Sequence, residues 1–211
     1  MKVALINGSP KAANSASGYF ADEFYKLLPE SAQVSLFSAN QLEQADVSLA
    51  PLFACDRWVF FFPLYVDAVP AHLLQLLTRI ESESMNRETG AISVYAVVNC
   101  GFYEAQQNRN ALDIMQHFCD HCGLFWNYGI GIGAGGFVGN SPEVPLQSPL
   151  KKPVFLSLKE LAASLEEGEQ PQANRFTGPR IPRFLYRTFG DFGWKQDAKH
   201  NHLKTKELYK R

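Results

Sequence analysis

Between Gly8 and Ser17 the chain sets three hydroxyls (Ser9, Ser15, Ser17), the amide of Asn14 and one cation, Lys11, directly after the aliphatic run Lys2 to Ile6. Short neutral donors in front of a helix start suit an anion. The first N–H groups of a helix lack partners within it, and the aligned peptide dipoles make that end positive. A phosphate monoester fits best, because hydroxyls donate to its oxygens without an equal count of buried cations. The stretch has neither the Gly-Lys-Ser/Thr of a Walker loop nor a Gly-x-Gly-x-x-Gly. A capped turn with Ser17 or Asn14 as N-cap is the plainer alternative; the place after a first buried strand favours phosphate.

Two further loops carry residues for a planar ligand. Pro63-Leu64-Tyr65-Val66-Asp67-Ala68-Val69-Pro70 is stiffened by a proline at each end and can form a flat, partly apolar wall with Tyr65. Asn99-Cys100-Gly101-Phe102-Tyr103 combines a glycine that admits close backbone approach with two rings suited to stacking. The structural alternatives are Tyr65 packed on the helix that follows and Phe102 covering the edge of the core.

The elements that must position these loops follow from periodicity. Lys2 to Ile6 reads as a buried strand ending in Asn-Gly, and Tyr19, Phe20, Phe24, Leu27 and Leu28 recur at helical spacing up to Pro29. Gln33 to Phe37 predicts a second strand, and Arg57 to Phe62 is so continuously apolar that it predicts the centre of a parallel sheet. A helix follows over Pro70 to Glu83, a strand over Ile92 to Asn99, and a helix over Gln107 to Cys122 with Gly123 as C-cap. Phe125 to Ile132 predicts a fifth strand and Val154 to Glu167 a last helix. Five strand-then-helix units in succession predict a parallel sheet covered on both faces, with ligands outside the carboxyl ends of the strands. The loops after Ile6, Phe62, Asn99 and Ile132 then share one edge. From Gln170 the chain turns rich in Pro, Arg, Phe and Tyr. The expected division is a domain over 1–170 and an appended arm over 171–211.

These motifs resemble those of the NAD(P)H-dependent FMN reductases and quinone reductases of the flavodoxin-like superfamily. The likeness rests on Asn-Gly-Ser-Pro-Lys…Ser-x-Ser at 7–17, Pro-x-Tyr-x4-Pro at 63–70 with Thr78-Arg79 closing the helix, and Cys-Gly at 100–101. It spans roughly residues 1–165. The resemblance implies a three-layer α/β sandwich with a five-stranded parallel sheet of order 2-1-3-4-5, and FMN with its phosphate on the first loop. On that likeness Ser9, Lys11, Asn14, Ser15, Ala16 and Ser17 hold the phosphate. Pro63, Leu64, Tyr65 and Val66 line the ring, and Asn99, Cys100, Gly101 and Phe102 line its other edge. Hydride would arrive from NAD(P)H on the exposed flavin face and leave to a quinone-like or other small acceptor. The flavin does the hydride chemistry while the protein supplies position and electrostatics, so no side chain is required as a catalyst; Tyr65 and Tyr103 are candidates for protonating an acceptor. Lys11 stands where the family carries Arg, and it meets phosphate as a point charge rather than a fork. The rival readings are a flavodoxin-like electron carrier with protein partners and a flavin-free interaction module.

Other signals point elsewhere. Cys119-Asp-His-Cys122 has redox or zinc spacing, but no second ligand pair accompanies it and it ends a predicted helix rather than opening one. A structural role and no metal site are expected. Gly131-Ile-Gly133-Ala-Gly135-Gly136 formally matches a dinucleotide fingerprint, yet Phe137 to Pro149 reads as loop, expected as a rim over the pocket. Residues 1–174 hold 10 Lys and Arg against 18 Asp and Glu, whereas 175–211 hold 10 against 3. That basic arm, laced with Phe176, Phe184, Tyr186, Phe189, Phe192 and Trp194, is expected to pack on its own domain or on a second subunit of a homodimer. An anionic membrane surface is a further partner for it, and nucleic acid a less fitting one. With Lys2 to Ile6 read as a strand, no secretory leader is expected, and the longest apolar run, Trp58 to Val66, contains Pro63. The expectation is a cytoplasmic protein with reduced thiols.

Overall fold

The computed structural model describes residues 1–11, 13–85, 87, 89, 92–167 and 172–204, and its centre is the strand that the sequence marks as most apolar. In β3 (Arg57–Pro63) successive side chains point to opposite faces. Trp58, Phe60 and Phe62 enter one core layer and Val59 and Phe61 the other, all fully buried. A continuous apolar run is what a strand covered on both sides requires.

Around it lie β1 (Lys2–Asn7), β2 (Gln33–Ser38), β4 (Ser93–Asn99), β5 (Phe125–Ile132) and a short β6 (Arg175–Thr177), all parallel, in the order β2-β1-β3-β4-β5-β6. One face is covered by α1 (Ala16–Tyr25) and α7 (Lys152–Glu167), through Phe20, Phe24, Leu158, Leu161 and Leu165. The other is covered by α2 (Ala39–Leu42), α3 (Ala50–Phe53), α4 (Ala71–Ser84) and α5 (Arg109–Cys122), with Leu42, Leu52, Leu73, Leu77 and Met115 in the layer. The result is the expected three-layer sandwich. Gly123 closes α5 in the left-handed conformation (φ 66°), its N–H bonded to the Cys119 carbonyl, as a C-cap glycine should.

The sheet differs from expectation by its sixth strand. Residues 175–177, read from sequence as part of the arm, pair with Ile130 to Ile132. Asn174 Oδ1 accepts the Gly129 N–H at 2.8 Å, and the Arg175 guanidinium lies over the Tyr128 ring. A strand of three residues leaves almost no periodicity to read, so only its pairing identifies it. The chain accordingly divides into compact units at Met1–Pro179 and Arg180–Arg211. A second difference is α6 (Gly135–Gly139), a five-residue helix in place of the expected loop.

The second unit is dominated by α8 (Arg183–His200), where no helix was expected. It exposes Phe184, Phe192 and Trp194. It ends where Leu203 N–H bonds the Ala198 carbonyl at 2.8 Å and His202 turns left-handed. Among the described residues no helix is long and apolar enough to cross a membrane.

Candidate functional site

The three loops singled out by their chemistry do meet at one sheet edge, where strand order reverses between β1 and β3. The Gly8 N–H donates to the Phe61 carbonyl at 2.7 Å, and the Leu64 N–H to the Asn99 carbonyl at 2.8 Å. The loop after β5 joins them, with the Ala134 N–H bonded to the Phe102 carbonyl and the Gly135 N–H to the Cys100 carbonyl. All four carboxyl-end loops therefore form one hydrogen-bonded rim.

The first loop is held from within. Asn7 Oδ1 accepts the Ser9 N–H at 3.0 Å, and Ser9 Oγ accepts the Lys11 N–H at 3.2 Å. Gly8 admits no larger residue, since a Cβ there would lie 2.9 Å from Phe62 Cβ. Ser15 is the N-cap of α1, its Oγ accepting the Gly18 N–H at 3.0 Å, so the plain capped turn is present, with Ser15 in the role expected of Ser17 or Asn14. Ser17 is 1% exposed and its Oγ accepts from Asn99 Nδ2 at 2.8 Å. The same Asn99 amide donates to the Phe62 carbonyl. Ser17 and Asn99 thus serve as struts joining α1, β3 and β4 rather than presenting free groups to the rim.

What remains for an anion is nonetheless a coherent set. Ser15 lines the opening; its Oγ accepts a hydrogen bond, and among the described residues its O–H donates none. Asn14 is left-handed (φ 53°), a conformation its short amide tolerates. Lys11 is exposed. A cleft of about 590 Å³ opens here, lined by Asn7, Asn14, Ser15, Tyr19, Asp22 and, from the far side, Gly139, Asn140 and Pro142. Ala16 forms the contact between its walls, because Gly139 sits so close that a Cβ would fall 2.6 Å from Ala16 Cβ. Asp22 lines the same cleft one turn beyond Gly18, on the same face of α1, so its carboxylate opposes an anion there and Lys11 is the cation that offsets it. Burial, with Glu23 and Glu143 nearby, pushes the Tyr19 hydroxyl up to about 12, so it stays a donor at neutral pH.

The second loop carries strain. Tyr65 and Ala68 exchange both backbone hydrogen bonds at 3.0 Å, and between them Val66 and Asp67 turn at φ 49° and 59°. A β-branched residue in the left-handed region is costly, and Val66 is fully exposed with no packing to compensate. Tyr65 is exposed beside it, while Pro63 and Leu64 are half-buried. In the third loop Phe102 is exposed and Tyr103 half-buried. Gly101 has open space around it, with nothing within 4 Å of an added Cβ. Cys100 faces inward, 4% exposed, with Asn108 Nδ2 at 3.4 Å from its sulfur, and burial pushes its thiol up. The rim thus brings together Lys11, Asn14, Ser15, Pro63, Leu64, Tyr65, Val66, Gly101 and Phe102, while Ser9, Ser17, Asn99 and Cys100 lie beneath it.

Several residues here were missed from sequence. Asn7 was legible in the Asn-Gly that ends the first strand. Asn40, whose amide reaches the Ser9 and Pro10 carbonyls at 3.4 Å, and Lys151, described below, come from distant segments with no local signal. The glycine run also has an explanation: added Cβ atoms at Gly131, Gly133 and Gly135 would strike Phe176, the Tyr103 carbonyl and Asn99 at 2.8, 2.4 and 2.7 Å. Close packing accounts for these three glycines; Gly136, the last of the formal fingerprint, has only Asn140 Nδ2 at 4.0 Å from an added Cβ. Arg79 donates to the Leu42, Gln44 and Val47 carbonyls, a staple remote from the rim. Cys119 and Cys122 are buried with thiols pushed up by desolvation. Among the described residues no cluster of His, Cys, Asp and Glu is arranged to hold a metal ion.

No family model and no curated protein sequence matches the chain. Solved structures do. An oxidised flavodoxin 1 from Bacillus cereus is similar over 79% of this chain and 98% of its own, at TM-score 0.55 and 12% identity. An NADPH-quinone reductase from P. pentosaceus is similar over 77% and 98%, at TM-score 0.54 and 15% identity. An azoreductase from Bacillus anthracis is similar over 78% and 98%, at TM-score 0.51 and 15% identity. The fold is the flavodoxin-like one, extended at one edge by β6.

Proposed function

We propose that the protein is an FMN-dependent oxidoreductase, with its phosphate site at the start of α1 and its ring site between the Tyr65–Ala68 turn and Gly101-Phe102. FMN, when bound, supplies the hydride chemistry, taking two electrons from NAD(P)H and passing them to a quinone-like or other small acceptor. The observation that carries the reading is the meeting, at the switch point of the sheet, of a hydroxyl-rich helix start with an exposed, strained aromatic-apolar turn. The quinone reductase, azoreductase and flavodoxin among the similar structures support it.

In this reading Asn14, Ser15 and the first-turn amides of α1 bind the phosphate, with Lys11 as an outer cation and Ser9 bracing the loop through the Lys11 N–H. Tyr65, Val66 and Phe102 form the apolar walls, and the space at Gly101 lets backbone N–H groups approach the ring. Tyr65 and Tyr103 hold protons for an acceptor that needs one. The protein would act as a homodimer in the cytoplasm.

The test is spectroscopic. The purified protein should carry, or take up from solution, one FMN with a flavin absorption spectrum, and anaerobic NADH or NADPH should bleach it. A protein that takes up no FMN refutes the flavin reading. A flavin that neither nicotinamide reduces makes the protein an electron carrier instead. Gly101→Ala should leave stability unchanged and weaken FMN binding. The same protein without FMN should sediment as a dimer if the subunit expectation holds.

A further inference from the structure

The far wall of the cleft is built around a buried cation. Lys151 is fully buried. Its ammonium donates to three backbone carbonyls, those of Val138 at 2.8 Å, Ser141 at 2.6 Å and Val144 at 3.0 Å. The Tyr19 ring lies 5.3 Å from the same nitrogen. Val138 belongs to α6, while Ser141 and Val144 follow its end, so this is where helix carbonyls lack partners. The segment they span supplies Gly139, Asn140 and Pro142 to the cleft, opposite Asn14, Ser15 and Tyr19. Three carbonyl oxygens converging on one point repel one another unless a donor with three N–H groups stands between them. Burial lowers the pKa of this ammonium, while the Glu143 and Glu23 carboxylates act to raise it. The wall therefore has this shape only while Lys151 occupies its centre.

We propose that Lys151 is a positioning residue for the phosphate end of the ligand: it holds 138–144 against the start of α1 and so completes the anion cleft without touching what binds there. The ligand class rests on the flavin reading above; the holding role does not. Gly139 is the counterpart on the wall itself, because its contact with Ala16 leaves no room for a side chain. Lys151 acts from behind the wall and Gly139 at its front, and both fix one distance, that between α6 and the N-terminus of α1.

The experiment compares wild type with Lys151→Met, which keeps length and removes the three donors, by two measurements. The first is amide hydrogen exchange over 138–144 in protein free of flavin. The second is equilibrium binding of FMN and of riboflavin, which differ by the phosphate alone. Faster exchange in 138–144 is expected, with FMN affinity lowered about 10- to 100-fold, the range for losing buried hydrogen bonds to a charged group, and riboflavin affinity held within about 2-fold. Should Lys151→Met fail to fold, Lys151→Gln, whose amide donates at most two of the three hydrogen bonds, carries the test with the same pattern expected. Unchanged exchange, or equal losses for FMN and riboflavin, overturns the role of Lys151. A wild type that binds neither flavin overturns the flavin reading instead, and exchange then decides the holding role alone.

Discussion

Replacing Val66 with glycine should make the protein more stable although it removes a side chain. Val66 sits at φ 49° in a two-residue turn whose flanking residues, Tyr65 and Ala68, are locked by paired hydrogen bonds. For an L-residue the left-handed region costs roughly 1–2 kcal/mol, and branching at Cβ places Val at the upper end of that range. The side chain is fully exposed, so no buried area is lost on truncation. Against this, glycine gives the unfolded chain extra freedom, worth about 0.4–1 kcal/mol. The balance is a gain of about 1–1.6 kcal/mol, which with a urea m-value of about 2 kcal/mol/M moves the midpoint up by about 0.5–0.8 M. Urea denaturation followed by far-UV circular dichroism reads this directly. Val66→Ala, which keeps a Cβ and therefore most of the strain, is the control and should gain far less. If the turn is strained because it forms the flavin wall, FMN binding should weaken in Val66→Gly as stability rises. A midpoint that is unchanged or lowered in Val66→Gly refutes the strain argument.

Other outcomes follow from the same geometry. Gly8→Ala should destabilise by about 1–3 kcal/mol, the usual cost of overpacking, because the new Cβ meets Phe62 Cβ at 2.9 Å and Leu73 Cδ2 at 3.0 Å; thermal unfolding checks it. In α8, Gly190 and Gly193 have open space around them, so Ala at each should raise helix stability by up to about 1 kcal/mol per site, seen as a later loss of helical signal on heating. All four thiols are shifted upward by burial, so they stay protonated at neutral pH and should react with a thiol reagent far more slowly than in urea; rapid labelling of native protein would contradict their placement. Burial and the two nearby carboxylates raise Tyr19 from 10.0 to about 12. The folded state therefore holds that proton more tightly, and the stability this contributes is complete below pH 10 and lost as pH climbs towards about 12. Tyr19→Phe should flatten the alkaline fall in unfolding midpoint over that window.

Local order in the chain was enough for the architecture. The apolar run at 57–62, the aliphatic start and the alternation of strand and helix each depend on near neighbours, and a parallel sheet with right-handed crossovers leaves few ways to assemble them. The same logic brought the loops after Ile6, Phe62, Asn99 and Ile132 to one edge, where the structure has them. Side-chain direction was another matter. Ser17 and Asn99 have the chemistry of ligand contacts, yet they bond each other across 82 positions of sequence, and no spacing rule reports that pairing. The three-residue β6 exists only through β5, and α8 holds Gly190 and Gly193 in its interior, which hid its periodicity. Lys151 looks like any lysine before a helix until three carbonyls from 138–144 close round it. What near neighbours set was the succession of strands and helices and the residue types at the strand ends; what packing between distant segments decided was which of those residues face the cleft and which are spent holding it together.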